Sequence, residues 1–241
     1  MDVHPPHHAI STWRDFFIHM ATICVGLLIA IGLEQSVEAI HRAQERHELR
    51  VALDRDSRQA IVDSGRSKQY ADVHIAWLLA RIGAAQTALA AHVALASETS
   101  PQSAGYDVAS DPAFQAAKSS GALSLLSQED IRAYSEADWV TLYLGKAFDD
   151  LVVARSNARK FAIELGPASG RADFAKAGPA DIQKYLGLLT DELLADVRLR
   201  FWSEEVGQVE GELLTGDRDL LALQKAEHSR HTPIPGLAPR P

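Results

Sequence analysis

Cysteine is nearly absent from this chain of 241 residues: Cys24 is the only one, and it lies inside an apolar run. One thiol cannot form an intramolecular disulfide or a cysteine-based zinc site, so the fold depends on burial and polar contacts. A basic surplus is missing as well. Lys and Arg number 24 against 32 Asp and Glu, a formal net charge of −8. Phosphate neutralisation needs clustered cations, so a general nucleic-acid surface is excluded. No phosphate-binding glycine loop, nucleophile elbow, HExxH or paired CxxC is written anywhere in the chain, which lowers the expectation of catalysis by those routes. No cofactor is expected.

Also scarce is positive charge at the start. Residues 1 to 15 carry Arg14 and the amino terminus against Asp2 and Asp15, whereas a cleaved signal peptide calls for a cationic n-region. Directly after them comes the longest apolar run, Phe16 to Leu33, whose ionisable side chains are His19 and Cys24. Eighteen helical residues cover roughly 27 Å, close to the hydrocarbon thickness of a bilayer. Trp13, Phe16 and Phe17 stand at its edge, where aromatic rings favour the interface. The expectation is a transmembrane helix. The weaker readings are a cleaved signal, with Ala30-Ile31-Gly32 as the cleavage-like site, and a buried helix of a soluble core. Arg42, Arg46, Arg50 and Arg55 lie beyond the run and only Arg14 precedes it, so the positive-inside rule places the C-terminal part in the cytoplasm.

Beyond Leu33 the pattern turns charged without a helix breaker up to Asp63, which predicts a stalk continuing from the span and capped at Ser64-Gly65. A second helix is expected from about Ser67 to Ala96, antiparallel to the stalk. The Ser-, Gly- and Pro-rich stretch Ser97 to Pro112 reads as a long loop. Asp111-Pro112 opens a short helix ending before Gly121. Ser127 with Asp130 resembles a capping box that starts a helix to about Leu165. Gly166 to Asp181 reads as a connection. The last helix is expected from Pro179 to near His228, followed by a proline-rich tail. The fold class predicted is all-α: a transmembrane helix (16–33) behind an N-terminal tail (1–15), then a stalk and antiparallel helical bundle (34–228), then a disordered tail (229–241).

Two stripes of small residues are candidate helix-packing faces. Thr22, Gly26 and Ala30 recur every four residues in the apolar run, and Ser203, Gly207, Gly211 and Thr215 do so in the last helix. Such faces permit close helix approach, and the first would serve a homodimer in the membrane; small residues are also simply common in membrane helices. Glu38 and His41 have the Glu-x-x-His spacing of di-iron bundles, but no second copy of the motif exists to complete a site. His4, His7 and His8 could hold a transition metal weakly, although a flexible tail explains them more simply. No metal site is assigned. Trp77, Trp139 and Trp202 are expected as core or interfacial anchors rather than ligand stackers.

The run Trp13, Phe16, His19 with "GLLIAIGLEQSVEAIH", Gly26 to His41, and "AAKSSGALSLL", Ala116 to Leu126, resembles a bacterial family of single-pass membrane proteins with a helical remainder and no assigned function. That resemblance implies residence in the bacterial inner membrane and transfers no catalytic residues. The functional expectation is a membrane-anchored helical interaction module whose partners are the bilayer, a protein or a second copy of itself. The competing expectation is an enzyme or small-ligand sensor with a cavity between bundle helices near Tyr70, Trp77, Tyr134 and Trp139.

Overall fold

A computed structural model describes residues 13–97, 100–101, 108–166, 174, 177–216 and 233. Among the described residues every regular element is helical: α1 (Trp13–Ala91), α2 (Pro112–Ser120), a 3₁₀ turn (Ala122–Leu125), α3 (Gln128–Glu164) and α4 (Pro179–Thr215). The chain divides into two compact units, Met1–Leu49 and Arg50–Pro241.

In the first unit α1 carries one stretch long and apolar enough to cross a membrane. Every side chain from Trp13 to Glu48 is exposed, including Leu28, Ile29 and Leu33. A soluble core helix would bury such residues; here, among the described residues, none covers the apolar surface. The Thr22 and Ser36 hydroxyls donate to the carbonyls of Ile18 and Gly32 at 2.8 and 2.7 Å, so neither polar group needs water. Trp13 stacks on Phe16 and meets Phe17 edge-on. Past the apolar run, Glu38 pairs with Arg42 one turn on, and His41 lies 3.2 Å from Glu45, which places the Glu-x-x-His pair in an exposed ladder.

The second unit packs the later part of α1 with α3 and α4. Its apolar centre includes Leu78, Ala85, Phe161, Phe174, Tyr185 and Leu189. Local signals set the helix ends. The Ser127 hydroxyl accepts the Asp130 N–H at 3.0 Å and starts α3, as the capping-box pattern predicts. Pro179 opens α4, and the Asp181 carboxylate accepts the Gly178 N–H at 3.0 Å. Gly121, at φ 79°, ends α2 in the left-handed region that glycine tolerates best.

Three expected boundaries fall elsewhere. First, α1 does not stop at Ser64-Gly65 but runs on to Ala91. Ser64 is buried, donates to the Ile61 carbonyl at 3.1 Å, and lies where a Cβ on Gly207 would approach its Oγ to 3.4 Å. Burial against α4 outweighs the roughly 1 kcal/mol that an interior glycine costs. The stalk and the expected second helix are therefore one element. Second, that element ends at Ala91 rather than Ala96. His92 takes φ 53°, and the His92 and Val93 N–H groups bond back to Leu89 and Ala88, the two bonds of a Schellman cap. Third, α4 stops at Thr215, where Gly216 adopts φ 83°, well before His228. The tail at 229–241 lies outside the described residues apart from Pro233, as do His4, His7 and His8.

The candidate functional site around His74

The second unit holds many polar groups at buried positions. Along α1, Arg50 reaches Asp130 at 3.2 Å, Asp56 accepts the Ala113 N–H at 2.7 Å, and Asp72 accepts from Arg200 at 2.5 Å. Lys68 lies 3.6 Å from Glu204, which Arg200 also contacts at 3.3 Å. These contacts pin α1 to α2, α3 and α4 and fix their register, because a buried charge displaced by one turn would lose its partner.

His74 is the centre of the most convergent group. It is 1% exposed on α1, and it faces Glu192 (4%) and Asp196 (0%), which are four residues apart on one face of α4. The Asp196 Oδ2 lies 2.6 Å from His74 Nδ1. On the other side of the ring, Nε2 lies 3.4 Å from the Ser100 hydroxyl and 3.7 Å from Glu192 Oε1. Arg155 enters from α3. Its Nε donates to Glu192 Oε1 at 3.0 Å, and its Nη2 is 3.1 Å from Nδ1 and 3.6 Å from Asp196 Oδ1. Tyr70 and Trp77 lie one turn either side of His74 with ring centroids 6.1 and 5.4 Å away, and Arg155 stands 5.8 Å over the Tyr70 ring. Burial pushes the Glu192 carboxyl above its ordinary range, with the Asp196 charge adding to the effect while Arg155 and His74 oppose it. His74, Glu192 and Asp196 together form a group able to ligate a metal ion.

A second acidic group surrounds a water-sized cavity of about 10 Å³ bordered by Asp56, Ser57, Asp111 and Glu210. Burial raises the Glu210 carboxyl to about 8, helped by the charges of Asp111 and Asp56 and opposed by Ser57. The Asp111 carboxyl is raised too, again chiefly by burial. Burial is the larger cause in both; neighbouring carboxylates add to it, Asp111 and Asp56 at Glu210 and Asp138 and Asp56 at Asp111, while the hydrogen bond from Glu210 lowers Asp111.

The residues singled out in the sequence are distributed unevenly. Thr22, Gly26 and Ala30 are exposed, and a Cβ on Gly26 would meet nothing within 4 Å. In the second stripe Ser203 is buried and Gly207 meets Ser64 of α1, whereas Gly211 has open space beside it. The four aromatics expected around one cavity are separated. Tyr70 and Trp77 flank His74, Tyr134 stacks against Phe114, and Trp139 joins Tyr143 and Trp202. A groove of about 450 Å³ lies elsewhere, beside Val108, Asp111, Leu142, Lys146 and Phe148. No sequence motif singles out His74, Arg155, Glu192 or Asp196. The available signal was phase: Glu192 and Asp196 fall among Leu189, Ala195 and Leu199, in the buried register of α4.

No protein-family model, curated protein or solved structure matches the chain.

Proposed function

We propose that the chain is a membrane-anchored helical interaction module whose bundle binds a protein partner or a second copy of itself. One observation carries this reading: an aromatic cluster open to solvent across α3 and α4. Trp139 lies 4.5 Å from Tyr143 and 5.6 Å from Trp202, and Phe201 packs edge-on against Trp202 at 5.1 Å. Trp139 remains 45% exposed and neighbouring Leu142 55% exposed. Lys146 sits 4.7 Å over the Tyr143 ring, and Asp150 pairs with Arg198 at 2.9 Å, giving the cluster charged neighbours. Exposed aromatics with polar surroundings are the composition of binding hot spots. The fully exposed apolar stretch of α1 supplies the anchor, and the arginines after it support a cytoplasmic bundle. The family resemblance supports a bacterial inner membrane as its setting.

Cross-linking and size measurement of detergent-solubilised full-length protein test the proposal. Assemblies larger than the monomer are expected, and Trp139→Ala with Phe201→Ala should dissolve them while the protein stays folded and helical by circular dichroism. An isolated monomer under all conditions would refute self-association, and failure of a cross-linker placed beside Trp139 to capture any protein in native membranes would refute the partner.

A second reading, a small-ligand sensor or enzyme, draws support from the groove beside Lys146 and Asp149, whose size falls in the range of ligand sites. Its test is a thermal-shift screen in which a stabilising ligand loses its effect on Lys146→Ala.

A further inference from the structure

We propose that His74 and Glu192 form a binding site for a first-row divalent transition-metal ion, with Asp196 holding the imidazole in the tautomer the ion requires. Asp196 itself is too close to be a co-ligand through the facing atoms. Two atoms each about 2.1 Å from one ion lie roughly 3 Å or more apart in tetrahedral or octahedral geometry, whereas Asp196 Oδ2 and His74 Nδ1 are 2.6 Å apart. That distance is a charge-assisted hydrogen bond. Arg155 Nη2, a donor 3.1 Å from the same nitrogen, makes the longer and weaker claim on it, so we assign the proton to Nδ1, with the Nε2 lone pair on the other side of the ring. This is the carboxylate–histidine–metal arrangement, in which the outer carboxylate orients the ring and raises its basicity.

Nε2 and Glu192 Oε1 are 3.7 Å apart, too far for a hydrogen bond. An ion about 2.1 Å from both atoms closes that gap at an angle of roughly 120°, within the range of transition-metal sites. The Ser100 hydroxyl, 3.4 Å from Nε2, borders the same space as a neutral oxygen donor. Arg155 approaches Glu192 Oε1 at 3.0 Å and stays compatible with an ion, because a carboxylate oxygen has a second lone pair. Electrostatics favours a cation. Two buried carboxylates, Glu192 and Asp196, face the imidazole, and the guanidinium that contacts both, Arg155, is a quarter exposed. An imidazole and a carboxylate suit zinc, manganese or ferrous iron better than calcium, which prefers all-oxygen ligands. Ser100 is exposed and Arg155 is a quarter exposed, so the site borders solvent on that side.

The experiment uses the full chain in detergent, with His4, His7 and His8 changed to Ala to remove competing imidazoles. Calorimetric titration with Zn²⁺ should show one equivalent bound. His74→Gln and Glu192→Gln should each weaken it at least tenfold, and Asp196→Asn roughly 10- to 100-fold, as outer carboxylates do. Ser100→Ala should have a smaller effect. Should a variant misfold, the parent protein still decides the matter. Loading with Co²⁺ should produce a single strongly shifted imidazole N–H proton, slow to exchange, from Nδ1–H held by Asp196. Absence of stoichiometric Zn²⁺ binding would overturn the proposal. So would unchanged affinity in folded His74→Gln, which would identify the binding as adventitious.

Discussion

Glu210→Gln isolates the electrostatics of the acidic cavity. The Glu210 carboxyl is raised from an ordinary 4.5 to about 8 in the folded chain, so between these values the native state holds a proton that the unfolded chain has released. Stability from this group is fully present below pH 4.5 and is lost as the pH rises through 8. The slope in that window is about −1.4 kcal/mol per pH unit, which amounts to roughly 3 to 4 kcal/mol between pH 5 and pH 8. Asp111 is shifted in the same direction and steepens the fall. Gln keeps the shape of the neutral carboxyl and does not titrate. Unfolding free energies of the two proteins should therefore nearly agree at pH 5 and diverge toward pH 8, with Glu210→Gln the more stable by about 3 kcal/mol. Denaturant titrations of the detergent-solubilised chain at several pH values, followed by tryptophan fluorescence, measure this. The difference between the proteins is the diagnostic quantity, because titrating groups remote from Glu210 cancel in it. A difference that varies by less than about 1 kcal/mol from pH 5 to 8 would refute the assignment of a neutral Glu210.

Two further substitutions test the packing of α1 on α4. Gly207→Leu should lower stability by about 1 to 3 kcal/mol, because even its Cβ meets the Ser64 Oγ at 3.4 Å and the added carbons must displace α1. Gly207→Ala should be close to neutral, since a tight contact is offset by a helix-propensity gain of about 1 kcal/mol; thermal melts of the two variants check this. Arg200→Ala should destabilise by about 3 kcal/mol, because the 4% exposed guanidinium is the cation nearest Asp72 and Glu204 is left with Lys68 at 3.6 Å. Asp72→Asn should cost less, because Asp72 is 30% exposed and water replaces part of the lost pairing; denaturant midpoints rank the pair.

Helix content, the apolar segment and most helix starts were legible in sequence because each depends on near neighbours. Eighteen residues without Asp, Glu, Lys or Arg mark a potential span wherever they occur, and Ser127, Pro112 and Pro179 act within one turn of themselves. The misplaced boundaries are those that longer-range packing or backbone conformation decides. Ser64-Gly65 carries the local signature of a stop, yet its close neighbour is Gly207, more than 140 residues away in sequence. Conversely, a histidine at 92 gave no sign of a cap, since a non-glycine residue in the left-handed region is unusual and is stabilised here by the two bonds back to α1.

The sequence by itself determined an all-helical chain with one apolar stretch suited to a bilayer, because periodicity and run length are properties of contiguous residues. Only the tertiary structure decided which polar residues meet. His74, Ser100, Arg155, Glu192 and Asp196 lie on three helices and a connecting segment, and apart from the pair on α4 the nearest two in sequence, His74 and Ser100, are 26 residues apart. Their chemistry depends on distances of 2.6 to 3.7 Å, set when α1, α3 and α4 bury their shared faces. A sequence records residue types and spacing, while the desolvation that raises Glu192 and Glu210 exists only once the helices have closed around them.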